Sequence, residues 1–592
     1  MKLLMSYFRR FLRHRTRLLL GVLAIPLAQS LDVATTILVG QALDRVRQSS
    51  EIDWLSTTLW LLAAAAVGHA FFRFWQRWLI VVVSRRFEVE LKQELFDHLV
   101  RLDFAFHDRS RSGDLVSRLT ADVEALRMFL GPGLMYTLGA VVIVPISLGW
   151  LMTLNLWLGL AIGLPMIAVG LIMKQLSPRL HRESTAVQES LADISHRAQE
   201  DFGGVRVVKG YHREAAQARR FESSSAQNRD NQIQLGRARG LTHAAINGSF
   251  DLTFAVILLV GGLAAIDRTL PVGDLFQFVD LTLKVFWPLI ALGWIAGMYP
   301  RAVASAERVD ALLATRSALE APAAGSETAA PAEGGLALEG VGFTYPKGTA
   351  PALRGIDATV PPGGSLGVVG PTGCGKSTLL LLLGRQMDPQ EGTVRLDGAD
   401  LRSLPLAQAR RALGYVPQDA FLFSVPYADN IRFGADGELS DAEVAELIEQ
   451  AAMTEEVARF PEGDRTLIGE RGVTLSGGQR QRTCIARALA RDPRVLVLDD
   501  CLSAVDTETE SRLLGTLREA GSGRTVVVAA HRLSTVASCD EILVLSEDGA
   551  IAQRGTHEEL VAREGWYRDT WEQQQRRESS ESEQAAGPGG VA

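Results

Sequence analysis

Six apolar stretches constrain this chain more than any other feature: residues 18–39, 59–83, 133–154, 157–174, 245–266 and 275–298. A hydrocarbon core about 30 Å thick is crossed by roughly 20 apolar residues in a helix. No water reaches the backbone there, so each segment must satisfy its own N–H and C=O groups. Six transmembrane helices are therefore expected. The connections near Thr153 and across 267–274 are little more than turns. Those across 84–131 and 175–243 are long, charged and helically patterned, as if the membrane helices continue well into the cytoplasm. Arg9, Arg10, Arg13, Arg15 and Arg17 precede the first apolar stretch, which places the N-terminus on the cytoplasmic side. The first fifteen residues, MKLLMSYFRRFLRHR, pattern as a helix lying on the membrane surface.

Residues 1–315 thus form the membrane domain. The stretch 316–335 is rich in Ala, Pro, Gly and acid without apolar periodicity, and reads as a tether. From Leu336 to Glu572 short apolar runs alternate with helical patterns, which predicts a mainly parallel sheet flanked by helices. The tail 573–592 lacks the apolar content to fold alone. A net charge of −7 offers no basic footprint for nucleic acid. The four cysteines, Cys374, Cys484, Cys501 and Cys539, show no spacing that suggests zinc or a disulfide frame.

GPTGCGKST, residues 370–378, follows the strand-like SLGVV and precedes the helical LLLLLGRQM, the setting a phosphate-binding loop requires. Gly373 and Gly375 let backbone N–H groups converge on phosphate oxygens, and Lys376 reaches the β- and γ-phosphates of ATP. Thr372, Cys374 and Thr378 complete the nucleotide-binding set, and Ser377 is the expected Mg2+ ligand. VLVLDD, ending at Asp500, reads as a buried strand delivering a magnesium-associated carboxylate, Asp499. The next residue should position the attacking water. It is Asp500, one methylene shorter than the glutamate expected there.

With LSGGQRQR at 475–482 the chain resembles ATP-binding-cassette proteins. The resemblance extends to Tyr345 in FTYP, similar to the family's adenine-stacking aromatic, and to Gln418 in YVPQD, similar to its magnesium- and interface-sensing glutamine. It includes SAVD at 503–506 and His531 in AAHRLS, similar to the switch histidine on the γ-phosphate. SGDLVSRLTADV at 112–123 and EDFGGVRVVKGYHRE at 200–214 resemble the coupling segments of six-helix exporters, and TLIGERG at 466–472 the loop that contacts them. The resemblance implies an α-helical polytopic membrane domain plus an α/β P-loop nucleotide-binding domain: a half-transporter in the cytoplasmic membrane, hydrolysing ATP to drive export.

Such halves pair, each ATP held between one chain's phosphate loop and the other chain's Ser476, Gly477, Gly478 and Gln479. Asp500, His531 and Gln418 form the implied catalytic set, with Ser377, Gln418 and, through water, Asp499 around the metal. A misplacement of about 1 Å can cost on the order of 10²-fold in rate. The short Asp500 therefore suggests a degenerate, slowly hydrolysing site, as in one half of heterodimeric multidrug exporters, with a partner half-transporter that carries the catalytic glutamate. A homodimeric lipid or drug flippase and a regulatory or channel-like ATP-gated subunit are the alternatives.

Substrate clues lie in the spans, where charges are costly. His69, Arg73 and Arg77 are four residues apart on one helix face, Asp32 sits in the first span, and Asp280 and Lys284 form an i,i+4 pair in the last. Either these groups pair internally, or the basic stripe lines a cavity and favours amphipathic substrates with an acidic end, peptides among them. Trp75, Trp78 and Trp287 could stack on such a cargo or anchor the helices at the lipid interface.

Overall fold

The computed structural model describes residues 2–48, 53–319, 331–346, 348, 350–469, 475–502, 509–510, 512–513, 515 and 523–585. Two compact units emerge: Met1–Val100 with Arg111–Thr315, and Arg101–Ser110 with Arg316–Ala592. Most of the expected tether, residues 320–330, lies outside the described residues.

The second unit is built on two sheets. Six strands lie in the order Ile551–Gly555, Glu541–Leu545, Ser365–Val369, Thr525–Ala529, Val495–Asp499 and Leu413–Val416. The first pair is antiparallel and the others parallel. Val495–Asp499 is buried at every position, as the unbroken apolar run of a strand covered on both faces requires. A second, antiparallel sheet joins Leu353–Val360, Leu336–Phe343, Glu391–Leu396 and Ala399–Asp400. The single mainly parallel sheet expected from the sequence is thus half of the arrangement. The runs Leu336–Phe343, Leu353–Val360 and Glu391–Leu396, interrupted by glycines at positive φ, form a sheet of their own.

Two features of this unit were not read from the sequence. The residues grouped with it from the first half of the chain are Arg101–Ser110, just before the expected coupling stretch. Here Asp103 caps the helix Phe104–Arg109 by accepting from Phe106 N–H at 2.7 Å, and its other oxygen accepts from Ala318 N–H. At the other end, the tail expected to lack structure from Gln573 continues as helix, Trp566–Ala585. Tyr567 is fully buried and its hydroxyl meets His557 Nδ1 at 2.8 Å, so the apolar first turns of this helix carry its polar remainder.

In the first unit, helices of 49, 48, 43 and 43 residues span Asp53–Arg101, Leu156–Gly203, Glu214–Val256 and Val272–Ala314. At 1.5 Å per residue they run to roughly 65–75 Å, about twice the hydrocarbon thickness, so the charged connections are indeed continued helix. Asn155 separates Leu134–Leu154 from Leu156–Gly203 and caps the latter, accepting from Leu158 N–H at 3.0 Å. Among the described residues, five helices are long and apolar enough to cross a membrane. The remaining expected span, 157–174, lies on Leu156–Gly203, where several side chains fall outside the described residues.

The N-terminal helix, Lys2–Phe11, packs one face against the protein. Tyr7 and Phe11 are buried, Phe11 meets Phe87 edge-on, Arg10 pairs with Glu94 at 2.6 Å and His14 with Glu90 at 3.0 Å. Part of its apolar stripe, Leu4, Tyr7 and Phe11, is therefore buried in the protein, while Met5 stays exposed.

The charges of the spans also pair. Lys284 Nζ lies 3.0 Å from Asp32 and 3.1 Å from Asp280, and donates to Asp32 O and Thr36 Oγ1, both at 2.8 Å. Thr36 in turn donates to Asp280. His69 Nδ1 sits 3.0 Å from Ala28 O, and Arg73 3.4 Å from His69 Nε2. These contacts favour the internal-pairing reading for His69, Asp32, Asp280 and Lys284, whereas Arg73 and Arg77 remain exposed in the isolated chain. Removing one member of a desolvated ion pair leaves uncompensated charge. Lys284→Met should therefore cost about 2 kcal/mol, less than a fully buried pair because each side chain keeps about a quarter of its exposure. The melting temperature in detergent checks this, and adding Asp32→Asn and Asp280→Asn should restore most of the loss.

Candidate nucleotide-binding site

The site follows from the ends of four adjacent parallel strands. In register, Val368 lies beside Ala529, Ala529 beside Asp499, and Leu498 beside Val416. The residue expected to act next emerges one or two positions later on each strand: Gly370 opening the phosphate loop, His531, Asp500, and Gln418. Ligands of parallel sheets bind at these carboxyl ends because loops and helix N-termini converge there. Residues scattered over more than 160 positions of sequence thus reach one rim.

Within the loop, Gly373 and Gly375 have φ of 84° and 99°, where a side chain is strained. A Cβ on Gly375 would also stand 2.3 Å from Ala352 O. The helix Lys376–Leu383 starts directly after. Lys376 is buried, and its Nζ donates to the carbonyls of Gly370 at 2.9 Å and Pro371 at 3.1 Å. The ammonium is thereby held against the loop whose N–H groups face phosphate, and anionic oxygens would outcompete neutral carbonyls for it. Cys374 is buried, with Sγ 3.9 Å from Lys376 Nζ.

The two groups expected nearest magnesium meet. Ser377 Oγ donates to Asp499 Oδ1 at 3.1 Å, and Tyr415 OH to Oδ2 at 3.4 Å. Burial, together with the charge of Asp500, pushes the Asp499 carboxyl above its ordinary range, while the Ser377 bond pulls it back. Burial also raises the Tyr415 phenol, helped by Asp499. A hydroxyl and a carboxylate from different elements, within hydrogen-bond reach and partly desolvated, fit a hard cation such as Mg2+. Tyr415 was invisible in the sequence, since an aromatic at this strand position reads as sheet core.

Tyr345, two residues beyond the antiparallel strand Leu336–Phe343, bonds Thr378 Oγ1 at 3.1 Å and packs edge-on against Phe343. Its ring therefore stands near the helix that follows the phosphate loop. Asp500 has φ of 44°, a left-handed conformation that Asp tolerates better than most residues. Its N–H donates to Ala529 O at 2.9 Å, and its Oδ1 accepts from the His531 backbone N–H at 3.4 Å. Gln418 and the His531 side chain are exposed at the rim.

Ser476 caps the 13-residue helix Gly477–Leu489. Its Oγ accepts from Gln479 N–H at 3.2 Å, and the Gln479 side chain accepts from Ser476 N–H at 3.0 Å. SGGQ is thus a capping box, and its helix N-terminus presents donors to an anion. The segment 503–506 and most of the 466–472 loop's second half, 470–472, lie outside the described residues.

The raised carboxyl of Asp499 carries a testable consequence. An acid whose folded pKa exceeds its unfolded value costs stability as pH rises from the latter through the former, so at neutral pH its charge is a burden on the empty site. Asp499→Asn should raise the melting temperature without nucleotide and remove the further rise that ATP with Mg2+ gives the parent; differential scanning fluorimetry reads both.

Comparison with known proteins agrees with this geometry. Residues 18–289 match the family described as ABC transporter transmembrane region, and 353–503 match the family described as ABC transporter. The chain is 34% identical to the multidrug resistance-like ATP-binding protein MdlA of Escherichia coli K12, over 96% of this chain and 95% of that one. It is 33% identical to the probable multidrug resistance ABC transporter ATP-binding/permease protein YheI of Bacillus subtilis 168, over 82% of each. An ATP-dependent lipid A-core flippase of Nitrosococcus oceani is 33% identical over 82% and 81% of the two chains. A bacterial Atm1-family ABC exporter solved with ATP bound superposes with a TM-score of 0.78 at 28% identity, covering 95% of this chain and 99% of that one. The chain belongs to the ATP-binding-cassette transporter family, as a half-transporter of the exporter type in which one membrane domain is joined to one ATP-hydrolysing cassette.

Proposed function

We propose that this chain exports hydrophobic or amphipathic molecules across the cytoplasmic membrane as one half of a two-cassette assembly. The N-terminus and cassette face the cytoplasm. ATP with Mg2+ binds at residues 372–378 and Asp499, with adenine on Tyr345, and Ser476–Gln479 complete the site of the partner half. Relatives carrying multidrug-resistance and lipid A-flippase names support an amphipathic cargo. His69 is turned to a backbone carbonyl, so any selectivity for an acidic-ended cargo rests on the exposed Arg73 and Arg77.

The observation that carries the finer reading is Asp500. Its short carboxylate meets the backbone N–H of His531 at 3.4 Å, and one further carbon–carbon bond, about 1.5 Å, would be needed to project it to a glutamate's reach. Water held that far from its general base reacts slowly, so ATP here is bound tightly and turned over poorly. The partner is then a different half-transporter whose own site bears glutamate, and which uses this chain's signature.

Purification from native membranes identifies that partner directly; recovery of a homodimer alone would overturn the heterodimer. In the assembly with the partner's glutamate removed, Asp500→Glu should raise hydrolysis about 10-fold or more, with ATP affinity nearly unchanged. Brisk turnover before that change would show Asp500 to be an adequate catalytic residue. Lys376→Ala should abolish labelling of this chain by a photoreactive ATP analogue, because several phosphate charges lose their mobile cation. Ser476→Arg should suppress steady-state hydrolysis of the assembly while that labelling persists, since the group lost serves the other chain's nucleotide.

A further inference from the structure

Gln574, on the helix Trp566–Ala585, reaches the catalytic rim. Gln574 accepts from Leu533 N–H at 2.9 Å through Oε1, and donates from Nε2 to His531 O at 3.0 Å. Both ends of a single carboxamide are therefore used on the backbone immediately around the switch histidine. The His531 N–H meets Asp500 Oδ1 at 3.4 Å. The backbone of His531 is gripped at its N–H from the strand bearing the catalytic acid and at its C=O from the C-terminal helix.

The support behind Gln574 is firm. Two turns earlier, Tyr567 is fully buried and hydrogen-bonded to His557 at 2.8 Å, and Trp571 packs edge-on against the same imidazole with centroids 4.6 Å apart. Two aromatic anchors on one helix face thus fix the axis from which Gln574 extends. Past Leu533, Thr535 donates to the buried Glu510, so the segment is held beyond the histidine as well. The His531 imidazole itself is exposed, and among the described residues the backbone contacts at its N–H and C=O hold the position from which it projects.

We propose that Gln574 is a positioning residue for ATP hydrolysis: its carboxamide clamps the backbone of His531 and Leu533 and so aims the His531 imidazole at the γ-phosphate. The inference rests on the reading of His531 as the γ-phosphate contact. It gives the C-terminal helix a role in turnover, since any displacement of that helix is felt at the switch backbone through two hydrogen bonds. Each such bond favours the held conformation by a few-fold. Losing both should lower the population of correctly aimed histidine, and hence kcat, without touching the groups that bind ATP.

The test uses the full assembly with the partner's catalytic glutamate removed and Asp500→Glu in every variant, so that the turnover measured is that of this chain's site. Gln574→Ala should lower kcat about fivefold and leave KM for ATP within about twofold. The melting temperature should stay near that of the parent, and amide exchange of the peptide containing Leu533 should accelerate. His531→Ala, in parallel, should abolish turnover at this site. Full kcat in Gln574→Ala beside an inactive His531→Ala would overturn the clamp and leave the histidine's role intact. Full kcat in His531→Ala would instead remove the histidine reading, and the clamp with it. A loss in Gln574→Ala accompanied by an equal fall in melting temperature and unchanged exchange at Leu533 would show Gln574 to be a structural residue only.

Discussion

The parallel ladder between Val495–Asp499 and Thr525–Ala529 is the constraint on which the nucleotide site depends. Its register sets Asp499 level with Ala529 and, one strand further, with Val368. The chemistry is added just beyond this shared edge, as loops whose length from the ladder is one or two residues. A slip of one residue would turn every side chain on the moved strand to the opposite face, and Asp499 would leave Ser377. The full burial of Val495–Asp499 opposes such a slip, because it would draw a flanking charged residue, Arg494 or Asp500, into the buried ladder.

Burial that secures the register also makes the site electrostatically uneasy. Asp499 is 4% exposed with Asp500 next to it, and Lys376 is held among carbonyls close by. Neutralising partners for the carboxylate and the ammonium are what a magnesium-bound triphosphate supplies. Binding then relieves charge strain built into the fold, a pattern common to sites where function is kept at some cost in stability. In the membrane unit the same physics has the opposite outcome. Lys284, Asp32 and Asp280 satisfy one another across two helices, so these charges are spent on packing.

Much of this was legible from residues alone. GPTGCGKST, VLVLDD and LSGGQ each encode local backbone requirements, glycine at positive φ, a buried strand end and a helix cap, so local sequence sufficed to find them. The long membrane helices were legible for a similar reason, since apolar length answers directly to bilayer thickness. The antiparallel sheet was missed because glycines at positive φ, Gly340, Gly355 and Gly392, and shifts of register break the alternation of its strands. The C-terminal helix was missed because its polar turns from Gln573 have no apolar stripe; Tyr567 and Trp571 hold it from one end.

The sequence by itself determined that the chain crosses a membrane, that it binds a nucleoside triphosphate, and that the residue after Asp499 is one methylene short, because each of these is written in consecutive residues. Tertiary structure decided which distant groups meet: Tyr415 with Asp499, Lys284 with Asp32, Asp500 with the His531 backbone N–H, and Gln574 with the His531 carbonyl. Such pairings depend on strand order and helix packing, where a side chain's partner is chosen by the register and burial of whole elements, and no local pattern carries that information.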